Sequence, residues 1–287
     1  MCILIDEKTR VIVQGITGRV GSFQTKIMLD YGTKVVAGVT PGKGGQKIYG
    51  VPIYDLVEEA VEENEADVAI GFVPAPFAAD SALEAIEAGL RLVVITAEGV
   101  PIIDTIKVLR RAKQRGALVL GPDTAGLISP GRCKVGVHPH KFCIRGNIGV
   151  VSRSGSLSYE VLKSLTEAGI GQSTVVDLGG GPMWGLTYVD ILKMFEEDDQ
   201  TEAIVLLGEI GGMMEEEAAK YIHEMSKPIV ALIVGRKAPE GERMGHASAL
   251  VQYGRGTAKE KIKALEDAGA YIVKAPREIP NILKEIL

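Results

Sequence analysis

The segment Arg10-Val-Ile-Val-Gln-Gly-Ile-Thr-Gly-Arg-Val-Gly21 decides the fold of the N-terminal half of this chain. A β-branched strand over residues 10–14 runs directly into three glycines, and a helix is expected to begin near Ser22 or Phe23. Glycines at such a junction permit a tight turn, and the N-terminus of the helix offers free N–H groups to a phosphate. The spacing is G-x-x-G-x-x-G, not the G-x-G-x-x-G of dinucleotide-binding proteins, so the motif alone leaves a ligand-free turn open.

Outward from this motif, short apolar runs alternate with helical patterns. Near-continuous Val, Ile and Leu runs between helices predict parallel sheets that are covered on both faces. Strands are predicted over residues 10–14, 34–39, 67–73, 91–96, 117–120, 147–152, 172–178, 203–208, 229–234 and 271–274. Helices are predicted over 55–64, 77–88, 102–115, 159–168, 187–195, 215–225, 258–268 and 279–287. We therefore predict two tandem α/β domains, residues 1–125 and 147–287, joined by a Gly- and Pro-rich linker over 126–146.

Composition narrows the class of protein. The length of 287 residues suggests about two domains at roughly 150 residues each, and the contents of 46% hydrophobic and 24% charged residues are typical of globular proteins. A net charge of −5 argues against nucleic-acid binding, and no apolar run approaches a membrane span. The N-terminus lacks an apolar signal core, which predicts a cytoplasmic protein. Cys2, Cys133 and Cys143 form no C-x-x-C pair, so neither a disulfide framework nor a metal site is predicted.

The residues at the end of the second predicted strand indicate which kind of ligand the first domain binds. A NAD site would place Asp or Glu about 20 residues after the glycine loop, where it would bond the ribose hydroxyls. This strand instead ends in Val39-Thr-Pro-Gly-Lys-Gly-Gly45, and Lys43 in a glycine-rich loop suits a further phosphate. Coenzyme A, which carries a 3′-phosphate, fits such a site. A solvated surface lysine is the alternative reading of Lys43.

Two further features concern phosphate chemistry. Ser154-Gly155-Ser156 follows a predicted strand and precedes a helix, which makes a second backbone cradle for an anion. His246 lies in a loop among small residues, where a neutral ring nitrogen is a competent nucleophile toward phosphorus, although most lone loop histidines are inert. Glu215, Glu216 and Glu217 open a predicted helix and are interpreted as complementing its dipole.

Taken together, the motifs resemble the α subunit of succinyl-CoA synthetase (succinate–CoA ligase) over essentially the full chain. The resemblance implies an N-terminal Rossmann-like CoA-binding domain and a C-terminal flavodoxin-like ligase domain, both with mainly parallel sheets. The matching segments are Gln14-Gly-Ile-Thr-Gly18, Gly38-Val-Thr-Pro-Gly-Lys-Gly-Gly45, Val73-Pro-Ala-Pro-Phe77, Val151-Ser-Arg-Ser-Gly155, Gly208-Glu-Ile-Gly-Gly212 and Arg243-Met-Gly-His246.

The resemblance also implies residue roles. His246 matches the histidine that is phosphorylated during turnover, and Glu209 matches the glutamate that partners it. Tyr159 matches a position for the acid substrate. The segment Ser154-Gly155-Ser156 is expected to hold the phosphohistidine at a helix N-terminus. The matches to CoA-binding positions are Thr17, Gly18, Arg19, Val20, Lys43, Thr96, Ala97 and Glu98.

The implied reaction is reversible and needs a partner. A nucleoside triphosphate phosphorylates the histidine, the phosphoryl group passes to succinate, and the CoA thiol displaces phosphate to form succinyl-CoA, a step of the tricarboxylic acid cycle. The chain has no P-loop motif, and in the family ATP or GTP with Mg²⁺ binds to an ATP-grasp β subunit. A heterodimer or heterotetramer is therefore implied, and the chain alone is expected to be inactive.

Three segments depart from the family pattern. Gly121-Pro-Asp-Thr-Ala-Gly126 stands where Gly-Pro-Asn-Cys-Pro-Gly is usual, and Gly180-Gly-Pro-Met-Trp184 stands where Gly-Gly-Asp-Pro is usual. Ala-Ser-Ala after His246, in place of Ala-Gly-Ala, reads as a small change. A carboxylate at Asp123 would repel a dicarboxylate unless it is paired, so the identity of the acid stays open. The alternatives are a ligase of the same superfamily for malate, citrate or another short acid, and a CoA-binding protein without catalysis.

Overall fold

The structure is a computed structural model, and it describes residues 3–251 and 255–287. Cys2 therefore lies outside the described residues. Two seven-stranded sheets, each flanked by helices, follow one another along the chain, as the alternating pattern predicted.

The N-terminal sheet is mainly parallel, with the strand order β3-β4-β2-β1-β5-β6-β7. Its strands are β1 (Arg10–Gln14), β2 (Lys34–Val39), β3 (Lys47–Ile48), β4 (Val51–Tyr54), β5 (Val68–Gly71), β6 (Leu92–Ile95) and β7 (Leu118–Leu120). Its helices are α1 (Arg19–Asp30), α2 (Val57–Glu63), α3 (Ala75–Glu87) and α4 (Ile102–Arg115). Without the antiparallel β3, the order is 3-2-1-4-5-6 of a Rossmann fold, in which ligands bind outside the carboxyl ends of the strands.

Both faces of this sheet are buried, which explains its continuous apolar runs. Val11 and Val13 of β1 pack into one hydrophobic cluster, and Ile12 between them packs into another. Successive side chains of a strand point to opposite faces, so β1 must be apolar at every one of these positions. The first of these clusters also contains Val176 and Ile204 of the second sheet, so the two halves share a continuous core.

The C-terminal sheet has the order β14-β13-β12-β10-β11-β8-β9. Its strands are β8 (Gly126–Ser129), β9 (Cys133–Gly136), β10 (Arg145–Ser152), β11 (Gln172–Asp177), β12 (Ala203–Glu209), β13 (Ile229–Val234) and β14 (Tyr271–Val273). Its helices are α5 (Gly155–Glu167), α6 (Tyr188–Glu197), α7 (Met214–Ile222), α8 (Ala258–Asp267) and α9 (Ile279–Ile286). The five strands from β14 to β11 pair in parallel with the flavodoxin-like order 5-4-3-1-2.

The passage 126–146, interpreted as a linker, is not an irregular connection. Strands β8 and β9 form a hairpin in it, and β8 pairs antiparallel with β11 through Leu127 and Val176. All residues of both strands are buried, including Lys134, so no alternation of polar and apolar residues signals them. The domain boundaries stay a prediction, but the eight residues of β8 and β9 belong to the second sheet.

Two helices begin at least three residues before their predicted start, and strands β3 and β4 lie where no strand was predicted. Helix α1 begins at Arg19, before the expected start near Ser22, and α5 begins at Gly155, before the expected Tyr159. In both cases residues that were interpreted as a preceding loop form the first helical turn. Within residues 3–251 and 255–287, every helix is too short or too polar to cross a lipid bilayer.

Candidate active site

The centre of the candidate site is a histidine–carboxylate pair at the carboxyl edge of the second sheet. Glu209, the last residue of β12, is buried, and its Oε2 lies 2.8 Å from Nδ1 of His246. This hydrogen bond, against the effect of burial, raises the pKa of His246 above its usual value. With Nδ1–H donating to Glu209, Nε2 keeps its lone pair and is the ring atom free to act as a nucleophile.

Several groups hold Glu209 in this position. Nη2 of the fully buried Arg153 lies 3.4 Å from Oε1 of Glu209, and the hydroxyl of Ser248 donates to the same oxygen over 3.4 Å. Ser248 also accepts from Arg153 Nη2 at 2.8 Å, and it shares its single hydroxyl proton between Glu209 and the closer carbonyl of Gly180, at 3.0 Å. The serine in Ala247-Ser-Ala249 therefore joins three parts of the site, which makes it more than a small change from glycine.

A buried charge cluster, formed by Arg153, Glu215 and Lys261, lies behind this pair. All three side chains are fully buried; Arg153 Nη1 is 2.9 Å from one oxygen of Glu215, and Lys261 Nζ is 2.6 Å from the other. Glu215 Oε1 also accepts from the backbone N–H of Glu209 at 3.1 Å. Glu215 thus does more than complement a helix dipole: it compensates two buried cations and supports the residue that holds His246.

Small residues make room around the imidazole. A Cβ on Gly180 would lie 2.5 Å from Cγ of His246, so only glycine allows this loop to pass beside the ring. The indole of Trp184 lies 4.8 Å from the Arg153 guanidinium and donates to Gly179 at 2.8 Å. Trp184 therefore packs against Arg153, which contacts Glu209, and its hydrogen bond to Gly179 holds the glycine loop in place.

The predicted phosphate cradle and acid-binding residue lie at the start of α5. Ser154 is the N-cap, and its hydroxyl accepts from the N–H of Leu157 at 3.4 Å. A Cβ placed on Gly155 would be 3.6 Å from the Tyr159 hydroxyl and 3.7 Å from Oδ2 of Asp177, so these groups converge at the helix N-terminus. Burial raises the pKa of Tyr159 to about 12, which keeps its hydroxyl a hydrogen-bond donor at neutral pH.

Two further carboxyl groups face this region. Burial, reinforced by Glu98, raises the pKa of Asp123 to about 6, and burial raises that of Asp177 to about 7. Asp177 ends β11, and its Oδ2 accepts from the N–H of Ala125 at 2.6 Å. The site therefore concentrates carboxyl groups whose protonation changes in the physiological range.

Asp177 gives a prediction on pH and stability. Its pKa of about 7 in the fold exceeds the ordinary 3.8, so the folded state holds an extra proton between these values. The free energy of unfolding should fall as pH rises through this window, by at most about 1.4 kcal/mol per pH unit from this group. Asp177→Asn should flatten that dependence in urea unfolding at about pH 5, 6 and 7, whereas exposed Asp267→Asn should not. Parallel curves for wild type and Asp177→Asn would contradict the assignment.

The predicted CoA residues lie on the carboxyl edge of the first sheet. Gly15 has φ +76°, and a Cβ on Gly21 would lie 2.2 Å from the Gly15 carbonyl, so the loop after β1 needs both glycines. Gly18 is the N-cap of α1, and Thr17 donates to Thr40, in the loop after β2, over 3.2 Å. A surface cleft of about 680 Å³ opens here, lined by Thr17, Gly18, Arg19, Val20, Ser22, Phe23, Gln24 and Tyr49.

The other predicted CoA-binding residues do not line this cleft; they follow β2 and β6 at the same edge of the sheet. Lys43 is exposed, and its backbone N–H donates to Asp55 at 2.9 Å, which fixes the turn after β2. Thr96, Ala97 and Glu98 follow β6, and the Ala97 carbonyl accepts from the N–H of Asp123 at 3.0 Å. The segment after β6 therefore contacts the connection between β7 and β8, which contains Asp123.

His138, in the passage 126–146, is unlike His246. His138 is fully buried, and one ring nitrogen lies 3.2 Å from the Gly126 carbonyl, while burial lowers its pKa to about 4. Among residues 3–251 and 255–287, no three His, Cys, Asp or Glu side chains are grouped so as to hold a metal ion.

Comparisons with known proteins indicate one family. Residues 6–99 match the model of a CoA binding domain, and residues 151–271 match that of a CoA-ligase. Over 287 residues the chain is 56% identical to "Succinate--CoA ligase [ADP-forming] subunit alpha 1" of Archaeoglobus fulgidus, covering 100% of this chain and 99% of the relative. The chain belongs to the succinate–CoA ligase α-subunit family.

Other members of the family support the same assignment. The α subunit of Methanothermobacter thermautotrophicus is 54% identical over 282 residues, which cover 98% of this chain and 96% of that relative. Among solved structures, ATP citrate lyase from Methanothrix soehngenii, in complex with citrate and coenzyme A, superposes with a TM-score of 0.89 at 25% identity. That match covers 99% of this chain, which spans about half, 51%, of the lyase chain.

The two domain matches divide the site residues between them. The CoA-binding match contains Thr17–Val20, Lys43 and Thr96–Glu98, and the CoA-ligase match contains Ser154–Ser156, Glu209 and His246. Asp123 lies between the two matched ranges. Arg153, Ser248 and Lys261 were absent from the predicted site; Arg153 stood in a motif, but its sequence position gave no sign of its distant partners.

Proposed function

We propose that this chain is the CoA-binding, phosphoryl-carrying subunit of a succinate–CoA ligase that acts with an ATP-grasp β subunit. The names of the related proteins support a subunit of an ADP-forming enzyme, and hence ATP rather than GTP as the nucleotide. The observation that carries the proposal is the 2.8 Å contact between His246 Nδ1 and Glu209. It leaves Nε2 as a nucleophile in a chain whose first domain matches CoA-binding proteins.

In the proposed cycle, Nε2 of His246 attacks the γ-phosphorus of a nucleotide that is bound, with Mg²⁺, on the partner. Glu209 keeps Nδ1 protonated and stabilises the charge that develops on the ring, as carboxylates do beside other catalytic histidines. The N-terminus of α5 at Ser154-Gly155-Ser156 offers backbone N–H groups to the phosphoryl group.

The phosphoryl group then passes to the acid to give an acyl phosphate, and the CoA thiol displaces phosphate. Tyr159 remains protonated and can donate to the carboxylate of the acid. Splitting the reaction into phosphoryl transfer and acyl transfer lowers each barrier, which is the advantage of covalent catalysis.

A second candidate keeps this mechanism and changes the acid. Asp123 adds a carboxyl group near the reacting histidine, and the architecture superposes on ATP citrate lyase at a TM-score of 0.89. A hydroxy acid such as malate or citrate could donate a hydrogen bond to Asp123, which succinate cannot.

The test uses the chain purified with its β subunit and charged with Mg-ATP. The peptide that contains His246 should gain ~80 Da, the mass of one phosphoryl group. His223→Gln, an exposed histidine on the same domain, is the matched control and should charge normally. Discharge by succinate with CoA would support the first proposal, discharge only by another acid would support the second, and failure to charge would contradict both.

A further inference from the structure

Lys134, in strand β9, is a fully buried lysine whose contacts lead to the cleft after β1. Its ammonium group donates to the carbonyl of Gly136 and, over 3.5 Å, to Oε1 of Gln24 in α1. Within residues 3–251 and 255–287 it forms no ion pair with a carboxylate. A buried charge is costly unless it is paired, so a lysine kept inside without a counter-charge is a candidate for a role in ligand binding.

The fold directs this side chain toward the predicted phosphate-binding loop. The Lys134 N–H donates to the Thr33 hydroxyl at 3.0 Å, and that hydroxyl donates to the Lys134 carbonyl at 2.9 Å. Thr33 follows the end of α1, whereas Gln24 lies in the second turn of that helix. The side chain of Lys134 therefore runs along α1 toward its N-terminus, where residues 17–20 lie.

The contact with Lys134 fixes which way the Gln24 amide faces. An ammonium group can only donate hydrogen bonds, so the amide oxygen must face Lys134 and Nε2 must point away from it. Gln24 lines the cleft of about 680 Å³ together with Thr17 and Arg19. Among the residues that the structure describes, Nε2 has no hydrogen-bond partner. Two N–H donors are therefore left for a ligand that carries acceptor oxygens.

The position of Gln24 suits a second phosphate group of one ligand. The N-terminus of α1, which follows its N-cap Gly18, offers N–H groups to a first phosphate. Gln24 lies about 9 Å further along the helix axis, at 1.5 Å per residue. CoA carries a diphosphate and a separate 3′-phosphate, so one molecule of it can reach both places.

We propose that Lys134 positions Gln24 for CoA: its ammonium group holds the amide oxygen, and the amide nitrogen donates to a phosphate oxygen of CoA. This inference rests on the binding of CoA in the proposed function. Gln24 is then a CoA-binding residue, and Lys134 is a positioning residue that acts through it. The hairpin β8–β9 of the second sheet thereby contributes to the ligand site of the first.

The test compares CoA affinity with the charging of His246 in the enzyme assembled with its β subunit. Calorimetric titration with CoA gives the Kd, and charging with Mg-ATP, which uses no CoA, reports that a variant folds and assembles. Lys134→Met removes the ammonium group, whereas Gln24→Met removes the amide and changes nothing inside the fold. Lys26→Met is the matched control, because it removes an exposed ammonium group from the same helix.

Gln24→Met should raise the Kd for CoA about tenfold, a typical effect of losing a hydrogen bond to a charged group. Lys134→Met should raise it about fivefold, and the double variant should bind CoA no more weakly than Gln24→Met, because Lys134 acts through Gln24. Lys26→Met should bind CoA like the wild type. Dephospho-CoA, which lacks the 3′-phosphate, assigns the contact: the loss persists with this probe if the amide binds the diphosphate and disappears if it binds the 3′-phosphate.

CoA binding should also depend on pH. Burial lowers the pKa of Lys134 to about 8, and a neutral amine can accept as well as donate, so it no longer fixes the amide. The titratable groups that face Lys134 are His138, with a pKa of about 4, and Cys143, with a pKa of about 12, and neither titrates near pH 8. The affinity of the wild type for desulfo-CoA, which has no thiol, should fall as pH rises through about 8. That of Lys134→Met should not.

Two results would overturn the proposal. Unchanged CoA affinity in Gln24→Met would show that the amide does not bind CoA, and this result does not depend on whether Lys134→Met assembles. Losses that add in the double variant would show that Lys134 does not act through Gln24. Wild-type enzyme that binds no CoA would overturn the CoA-binding part of the proposed function and this inference with it. Wild-type enzyme that binds CoA but never charges on His246 would contradict the proposed phosphoryl transfer and leave this inference standing.

Discussion

Replacement of His246 with Gln is expected to abolish turnover of the assembled enzyme, with a fall of at least about 10⁴-fold. Gln provides no ring nitrogen that can accept a phosphoryl group, and the neighbouring Glu209 is held by Arg153 and Ser248 rather than aimed at a substrate. Single-turnover charging with labelled ATP measures the effect directly. The control His223→Gln changes an exposed histidine at the end of α7 and should retain wild-type turnover.

Glu209→Gln should slow the phosphorylation of His246 without abolishing it. A Gln amide can donate to Nδ1, which would favour the tautomer with the proton on Nε2 and remove the nucleophilic lone pair. Loss of the carboxylate should also lower the pKa of His246, because its hydrogen bond to Glu209 is the largest cause of the raised value. Charging should slow by about 10² to 10⁴-fold. Wild-type charging by His246→Gln, or by Glu209→Gln, would contradict the assigned roles.

Replacement of Glu215 with Gln should have the largest effect on stability, a loss of about 3 to 5 kcal/mol in the free energy of unfolding. Its carboxylate is the nearest one to two fully buried cations, Arg153 and Lys261. Its removal leaves Lys261 with only Glu216, at 2.8 Å, and Arg153 with only Glu209, at 3.4 Å. Equilibrium unfolding in urea measures the loss. The matched control is Glu217→Gln, because Glu217 is exposed in the first turn of the same helix.

A triple replacement separates the effect of the buried charge cluster on stability from its effect on the active site. Arg153→Met, Glu215→Leu and Lys261→Met together remove every charge of the buried charge cluster, and apolar groups of similar volume often replace such clusters without loss of stability. We expect this variant to regain much of the stability that Glu215→Gln loses, yet to charge His246 slowly, because Arg153 no longer contacts Glu209. Equal unfolding midpoints for wild type and Glu215→Gln would show that the cluster does not stabilise the fold.

The regular parts of both sheets could be predicted because their signals are local. Val11, Ile12 and Val13 are apolar since both faces of β1 are covered, and a continuous apolar run reports that directly. Hairpin β8–β9 escaped prediction for a related reason. Its buried positions include Lys134, whose charge interrupts the apolar pattern although its side chain is enclosed beside α1.

Some residues of the candidate site could likewise be predicted from local sequence, and others could not. His246, Glu209 and the glycine loops lie in short motifs, so sequence reasoning found them and the structure brings His246 and Glu209 together. Arg153, Glu215 and Lys261 come from three distant parts of the chain, and each alone resembles an ordinary charged residue. The effect of Ser248 likewise depends on a contact with Arg153, 95 positions away. Such pairings depend on tertiary packing, which no single-sequence pattern reports.

The hairpin β8–β9 also determines where this polypeptide can be divided. A fragment that began at residue 147 would lack the two strands that cover β11, and would expose the backbone N–H and C=O groups of a central strand to other molecules. Such a fragment should self-associate through that open edge. The hairpin β8–β9 follows β7, the last strand of the first sheet, directly in the sequence. It is therefore synthesised before strands β10 to β14 of its own sheet. When β11 leaves the ribosome, the strand that covers its outer edge is already available for pairing.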